Sequence, residues 1–268
     1  MNGPRHLQDA VGRWQSRMGG FFPAEQRTVF RGHDLHADLK GMGWLELCVF
    51  GITGRRHTPQ QLRLMEALCV FTSYPDPRIW NNRVVALAAT TRSTGALGMS
   101  AALAVSEAHI YGRGNEVQAI TFFRNTHQAL EAGAGLEDCL AGEMATHGRI
   151  AGYGRPLVNA DERIAPTMAL AAELGLADGP HVRLAYAVEK HLLDSGKPLR
   201  LNYGGLVSAF GADLGFTPRE FYLFMYPVFL GGMPPCYLEA AERPEGSFLP
   251  IPCEHVDYQG PAKRRWPL

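Results

Sequence analysis

The sequence predicts a mostly α-helical protein, built from many helices of modest length. Three observations carry this prediction. Apolar residues recur at three- and four-residue spacing in one segment after another. Cap and breaker residues bracket those segments, and strand-like alternation is short and rare. With 268 residues, 46% apolar and 19% charged, the chain has a globular balance and enough length for a substantial core.

The elements follow in order. The N-terminal stretch is Gly-rich and irregular, with a short helix expected around Leu7–Met18 and an extended piece at Arg27–Arg31. The segment from Trp44 is apolar on one helical face and stops at Gly54, a C-cap type. Thr58-Pro-Gln-Gln opens the next helix: Thr58 suits the N-cap, Pro59 the first turn and Gln61 the capping-box position. Tyr74-Pro-Asp-Pro is a break, because two prolines in three residues cannot sit inside a helix.

From Asn82 to Val105 the chain is rich in Ala, Leu, Val and Met, and reads as one buried helix containing Gly95 and Gly98. His109-Ile-Tyr-Gly-Arg-Gly-Asn115 is a second break, and Glu116–Ala132 is a helix stopped by Gly133-Ala-Gly135. Further helices are expected at Ala165–Gly175, His181–Ser195, Leu206–Leu214, Pro218–Leu230 and Met233–Ala241, followed by a Pro-rich tail. Internal repeats and low-complexity segments are absent from the sequence.

Composition excludes several functions. Twenty-six basic residues balance twenty-six acidic ones, so no global field favours nucleic acid or an anionic membrane. The five cysteines are scattered, with no CxxC pair, which argues against a zinc or redox motif; no metal is expected. There is no secretory h-region and no run of 18 apolar residues, so the expectation is a soluble, cytoplasmic protein.

Two motifs carry the chemistry. Gly152-Tyr-Gly-Arg-Pro-Leu-Val-Asn-Ala-Asp-Glu-Arg163 is followed downstream by Leu199-Arg-Leu-Asn-Tyr-Gly-Gly-Leu206. Together they resemble the small-domain motifs of the citrate synthase superfamily, which read Gly-Phe/Tyr-Gly-His-Arg…Asp-Pro-Arg and Asn-Val-Asp-Gly. The resemblance extends to Val29-Phe-Arg-Gly-His-Asp-Leu35, to Gly54-Arg-Arg-His-Thr-Pro-Gln-Gln-Leu-Arg-Leu-Met65 and to Asp257-Tyr-Gln-Gly-Pro261. In order and extent it is similar to the short citryl-CoA lyase-like branch and to the C-terminal module of ATP-citrate lyase. That resemblance implies an all-α fold with a large domain (1–111 and 212–268) and a smaller inserted domain (112–211). It also implies a homodimer, or a heteromer with an active paralogue, with coenzyme A as the thioester substrate.

The resemblance also locates the departures. Where the lyase branch has Asp-His-Gly, this sequence has Asp76-Pro77-Arg78, so the histidine becomes Pro77. The second histidine becomes Arg155, the aspartate becomes Gly204, and Tyr111 stands where larger citrate synthases carry another histidine. Arginine stays protonated at neutral pH, and proline and glycine do not titrate. The ordinary citrate-forming or citryl-CoA-cleaving mechanism is therefore not expected.

The ligand-holding positions persist. By resemblance Gly152, Tyr153 and Gly154, with Arg149 beside them, form the coenzyme A loop, and Arg163 with Asn202 binds substrate. Candidates for the rebuilt chemistry are His109, Tyr111, Arg155, Asp76 and Tyr203, with Glu116 and His147 beside the same breaks. Lys190, Lys197 and Arg200 add positive charge on neighbouring segments. Two readings stay open: a divergent acyl-CoA enzyme making or breaking a C–C bond or a thioester, and a non-catalytic acyl-CoA-binding or partner subunit. An unrelated helical interaction protein is the third.

Overall fold

A computed structural model describes residues 3–12, 14–107, 112–155, 160–247 and 251–265. In chain order these form α1 (Gly3–Ala10), the strands β1 (Gly19–Phe22), β2 (Arg27–Phe30) and β3 (His33–Asp34), then α2 (Trp44–Thr53) and α3 (Pro59–Thr72). Next come α4 (Trp80–Thr90), α5 (Gly95–Val105), α6 (Arg113–Glu131) and α7 (Leu136–His147). The series ends with α8 (Ile164–Glu173), α9 (Pro180–Asp194), α10 (Tyr203–Asp213), α11 (Pro218–Phe224) and α12 (Met233–Ala241). The all-α expectation holds, with one small antiparallel sheet in the order β1-β2-β3 as the addition.

The chain divides into two compact units. One comprises Met1–Thr72 and Gly112–Val228; the other comprises Ser73–Tyr111 and Phe229–Leu268. In the first, Leu64, Met65 and Leu68 of α3, Ile120 and Phe123 of α6, Leu192 of α9 and Phe210 of α10 form one buried cluster with Phe216, Phe221 and Phe224. Each large side chain buried this way contributes about 1.5–3 kcal/mol. Helix α10 is buried along nearly its whole length, because its glycines and alanines let neighbours approach closely. A Cβ on Gly211, for example, would lie 2.6 Å from the Phe221 ring. This packing fixes the first turn of α10, where the second sequence motif ends.

In the second unit α4, α5 and α12 pack around Val85, Ala102, Met233 and Cys236. The run expected as one helix over 82–105 is two, α4 and α5. Arg92 takes a left-handed backbone (φ 60°), and its guanidinium donates to Ala89 O, Ala241 O and Arg243 O, satisfying carbonyls at the ends of α4 and α12. Thr94 then caps α5 through Leu97 N.

Other departures have local causes. Helix α1 lies earlier than the predicted Leu7–Met18, and Gly12 follows it at φ 71°. The helix predicted over Pro218–Leu230 stops at Phe224, and Pro227 opens a separate 3-10 turn. Helix α7 has only Leu140 fully buried, so its sequence carries little helical periodicity. The predicted signals at Gly54 and Thr58 are realised. Gly54 closes α2 at φ 71°, while Thr58 Oγ1 accepts from Gln61 N at 3.2 Å and Gln61 Oε1 accepts from Thr58 N at 3.0 Å. Among the described residues no helix is long and apolar enough to cross a membrane.

Candidate functional site

The two motifs meet in the first unit as backbone against backbone. Tyr153 and Leu201 form an antiparallel bridge; Asn202 N donates to Gly152 O at 2.9 Å and Gly154 N to Arg200 O at 2.7 Å. Gly152 and Gly154 both need positive φ, 95° and 82°, which glycine adopts without strain. Close approach is a second reason: a Cβ on Gly152 would lie 2.8 Å from Gly205 Cα.

Asn202 locks the turn that follows. Its side-chain amide donates to Gly154 O at 2.9 Å, while its Oδ1 accepts from Gly205 N at 2.9 Å, making it the N-cap of α10. Glu189 of α9 fixes the bridged segment by accepting from Leu201 N at 2.9 Å.

Asp161 is the charged centre of the motif. Its side chain is only 1% exposed and takes a bidentate pair from Arg163, both contacts at 2.8 Å. It also accepts from Tyr203 N at 3.0 Å and lies 3.5 Å from Arg155 Nε. Burial pushes the Asp161 carboxyl up, but the Arg163 pair, the Tyr203 amide and the Arg155 charge outweigh it, and the group sits below its ordinary value. Arg155 completes the network through Glu162 at 2.6 Å. Arg163 lies 4.4 Å over the Tyr203 ring, a cation–π contact.

Tyr203 is buried, and its hydroxyl lies 3.5 Å from Thr167 Oγ1. Burial pushes its pKa up to about 12, so at neutral pH the phenol is a donor rather than a base. Tyr153 points its hydroxyl inward to Ala185 O at 2.8 Å; burial and the Glu189 charge raise it well above the ordinary tyrosine value. Arg149 holds the start of α6 through Asn115 Oδ1 at 2.6 Å and Gln118 Oε1 at 3.3 Å. The structure thus brings together Arg149, Gly152, Tyr153, Gly154, Arg155, Arg163, Asn202 and Tyr203 within one unit.

Asp76 belongs to the second unit. Its carboxylate accepts from the Arg78 amide and pairs with the Arg78 guanidinium at 2.7 Å. The Arg78 side chain, and then its amide, hold Asp76 below the usual carboxylate range. His109 and Tyr111 lie outside the described residues. Sequence reasoning passed over two residues: Asp161, whose signal was its place two residues before Arg163, and Ser208. The fully buried Ser208 hydroxyl lies 2.7 Å from Gly204 O and 3.1 Å from Glu116 O, tying the first turns of α10 and α6 together. Among the described residues, no group of three or more His, Cys, Asp or Glu is placed to hold a metal ion.

This helical array matches solved structures. Citryl-CoA lyase from Hydrogenobacter thermophilus superposes with a TM-score of 0.81 at 21% identity, over 95% of this chain and 97% of that one. The fold is citrate synthase-like. ATP citrate lyase from Methanosaeta concilii, in complex with (3S)-citryl-CoA, gives a TM-score of 0.68 at 17% identity, over 98% of this chain and 45% of its own. Citrate synthase from the archaeon Thermoplasma acidophilum, bound to carboxymethyl coenzyme A and oxaloacetate, gives 0.65 at 18% identity over 84% of this chain and 59% of its own. No protein-family model and no curated protein matches the sequence. The citrate synthase-like fold seen here agrees with the one the motifs imply.

Proposed function

We propose that this chain binds an acyl-CoA thioester at the Gly152–Gly154 loop and makes or breaks a carbon–carbon or thioester bond there with non-standard groups. The supporting observation is the paired loop itself: two positive-φ glycines held against residues 200–205, with Arg149, Arg155 and Arg163 around them. The guanidinium forks suit carboxylate and phosphate groups. Solved proteins of this fold hold citryl-CoA or a coenzyme A analogue. The large and small domains at 1–111 with 212–268 and at 112–211, and a cytoplasmic location, go with this reading.

Chemistry at the loop would differ from the parent reaction. Arg155 supplies fixed positive charge where the resemblance implies a histidine, suited to stabilising an anionic carbonyl oxygen rather than to moving a proton. Tyr203 offers a donor, and Asn202 is committed to the α10 cap.

A second reading is a non-catalytic acyl-CoA-binding or partner subunit. The bare backbone at Gly204 and the use of Arg155 and Arg163 in ion pairs with Asp161 favour it. Helix α5 suits a dimeric partner, since it is apolar and Leu97 is 66% exposed.

The deciding experiment incubates the purified protein with a panel of acyl-CoAs, with and without 2-oxo acids, and follows thiol release and product mass. Turnover of any member supports the enzyme. Tight coenzyme A binding without turnover supports the binding subunit, and neither one overturns both readings.

A further inference from the structure

We propose that Glu116 supplies the proton-accepting carboxylate of this site, reaching it across the bare backbone of Gly204. The inference rests on the thioester-binding reading above. Glu116 stands in the first turn of α6, whose neighbours Asn115 and Gln118 are both gripped by Arg149. Ser208 ties the Glu116 backbone to the first turn of α10. A Cβ placed on Gly204 would lie 3.7 Å from Glu116 Cγ and 3.4 Å from Asn202 Oδ1. The Glu116 side chain therefore packs beside Gly204, one residue from the Gly205–Gly152 contact that anchors the loop.

Two properties suit this carboxylate to the task. Its Oε2 is shielded from bulk solvent, so the carboxylate faces protein rather than open water. Its backbone carbonyl is held by Ser208, in a helix turn whose Asn115 and Gln118 side chains are gripped by Arg149, which holds a general base at constant geometry.

The step is simple to balance. A C–H bond next to the thioester carbonyl breaks, an O–H bond forms on Glu116, and the electron pair moves onto the carbonyl oxygen as an enolate. In heavy water the carboxyl exchanges its proton and the reverse step delivers deuterium to carbon.

The test is deuterium incorporation into the acyl group of acetyl-CoA, the smallest acyl-CoA with such a C–H bond, read by mass spectrometry on the full chain. Wild type is expected to exchange above the buffer rate. Glu116→Gln should lower the rate about 100-fold or more, while coenzyme A affinity and the thermal midpoint stay near wild type. Glu116→Asp should keep part of the rate, which a purely structural role would not predict. Wild-type exchange by Glu116→Gln overturns the inference. So does wild type that binds coenzyme A without exchanging, though the binding reading then stands. Neither binding nor exchange removes the thioester reading as well.

Discussion

Gly152 and Gly205 pack backbone to backbone: a Cβ on Gly152 would lie 2.8 Å from Gly205 Cα, and one on Gly205 would lie 2.4 Å from Gly152 O. This contact seats the first motif on the N-terminus of α10. Gly152→Ala should lower stability by about 2–4 kcal/mol, combining the left-handed backbone penalty with overpacking. Urea unfolding measures it, and an unchanged midpoint would show that the two segments part easily.

Asp161→Asn removes the shared countercharge of two arginines. Breaking a buried pair costs about 3–5 kcal/mol, and partial exposure of Arg155 and Arg163 should bring this to about 2 kcal/mol. Because Asp161 is held below its unfolded value, its stabilisation is present above pH of about 4 and is lost as pH falls through the lower folded value. Acid titration of stability should therefore be flatter in Asp161→Asn than in wild type. An identical acid limb in both proteins would rule out the proposed coupling.

His57 provides a second pH effect, of opposite chemical origin. Its ring stacks on Phe216 at 6.0 Å, and its buried Nε2 has no hydrogen-bond partner among the described residues. Burial, and then the Arg55 charge, lower its pKa, so the folded state prefers neutral imidazole. Its contribution is complete above the unfolded value of about 6.5 and declines as pH falls toward the folded value. His57→Phe should remove that slope from a series of melting curves. A slope that persists in the variant would assign it to another group.

Gly204→Asp returns a carboxylate to the first turn of α10 but not the histidines replaced by Pro77 and Arg155. The new Cβ has room, at 3.4 Å from Asn202 Oδ1, although its carboxylate would sit close to Glu116. No citryl-CoA cleavage is expected from this single change. Cleavage above the buffer rate would show that the missing histidines are not needed.

Much of the fold was legible where local chemistry decides local structure. Gly54, Thr58 and Gln61 announced their caps, and helical spacing marked α3, α9 and α12. The break at Arg92 was hidden because a left-handed arginine is stabilised by Ala241 O and Arg243 O, about 150 residues away. The site was legible as motif but not as network. Nothing in the spacing says that Arg163 and Arg155 share Asp161, or that Ser208 joins Glu116 to Gly204, since both depend on how α10 packs against its neighbours.

The central claim is that the Gly152–Gly154 loop holds a coenzyme A thioester. Titration calorimetry of coenzyme A into the purified protein, repeated at rising salt, tests it most directly. One-site binding that weakens as salt screens the arginine–phosphate attraction is the predicted result. No heat of binding at any salt, up to about 1 mM ligand, would contradict it.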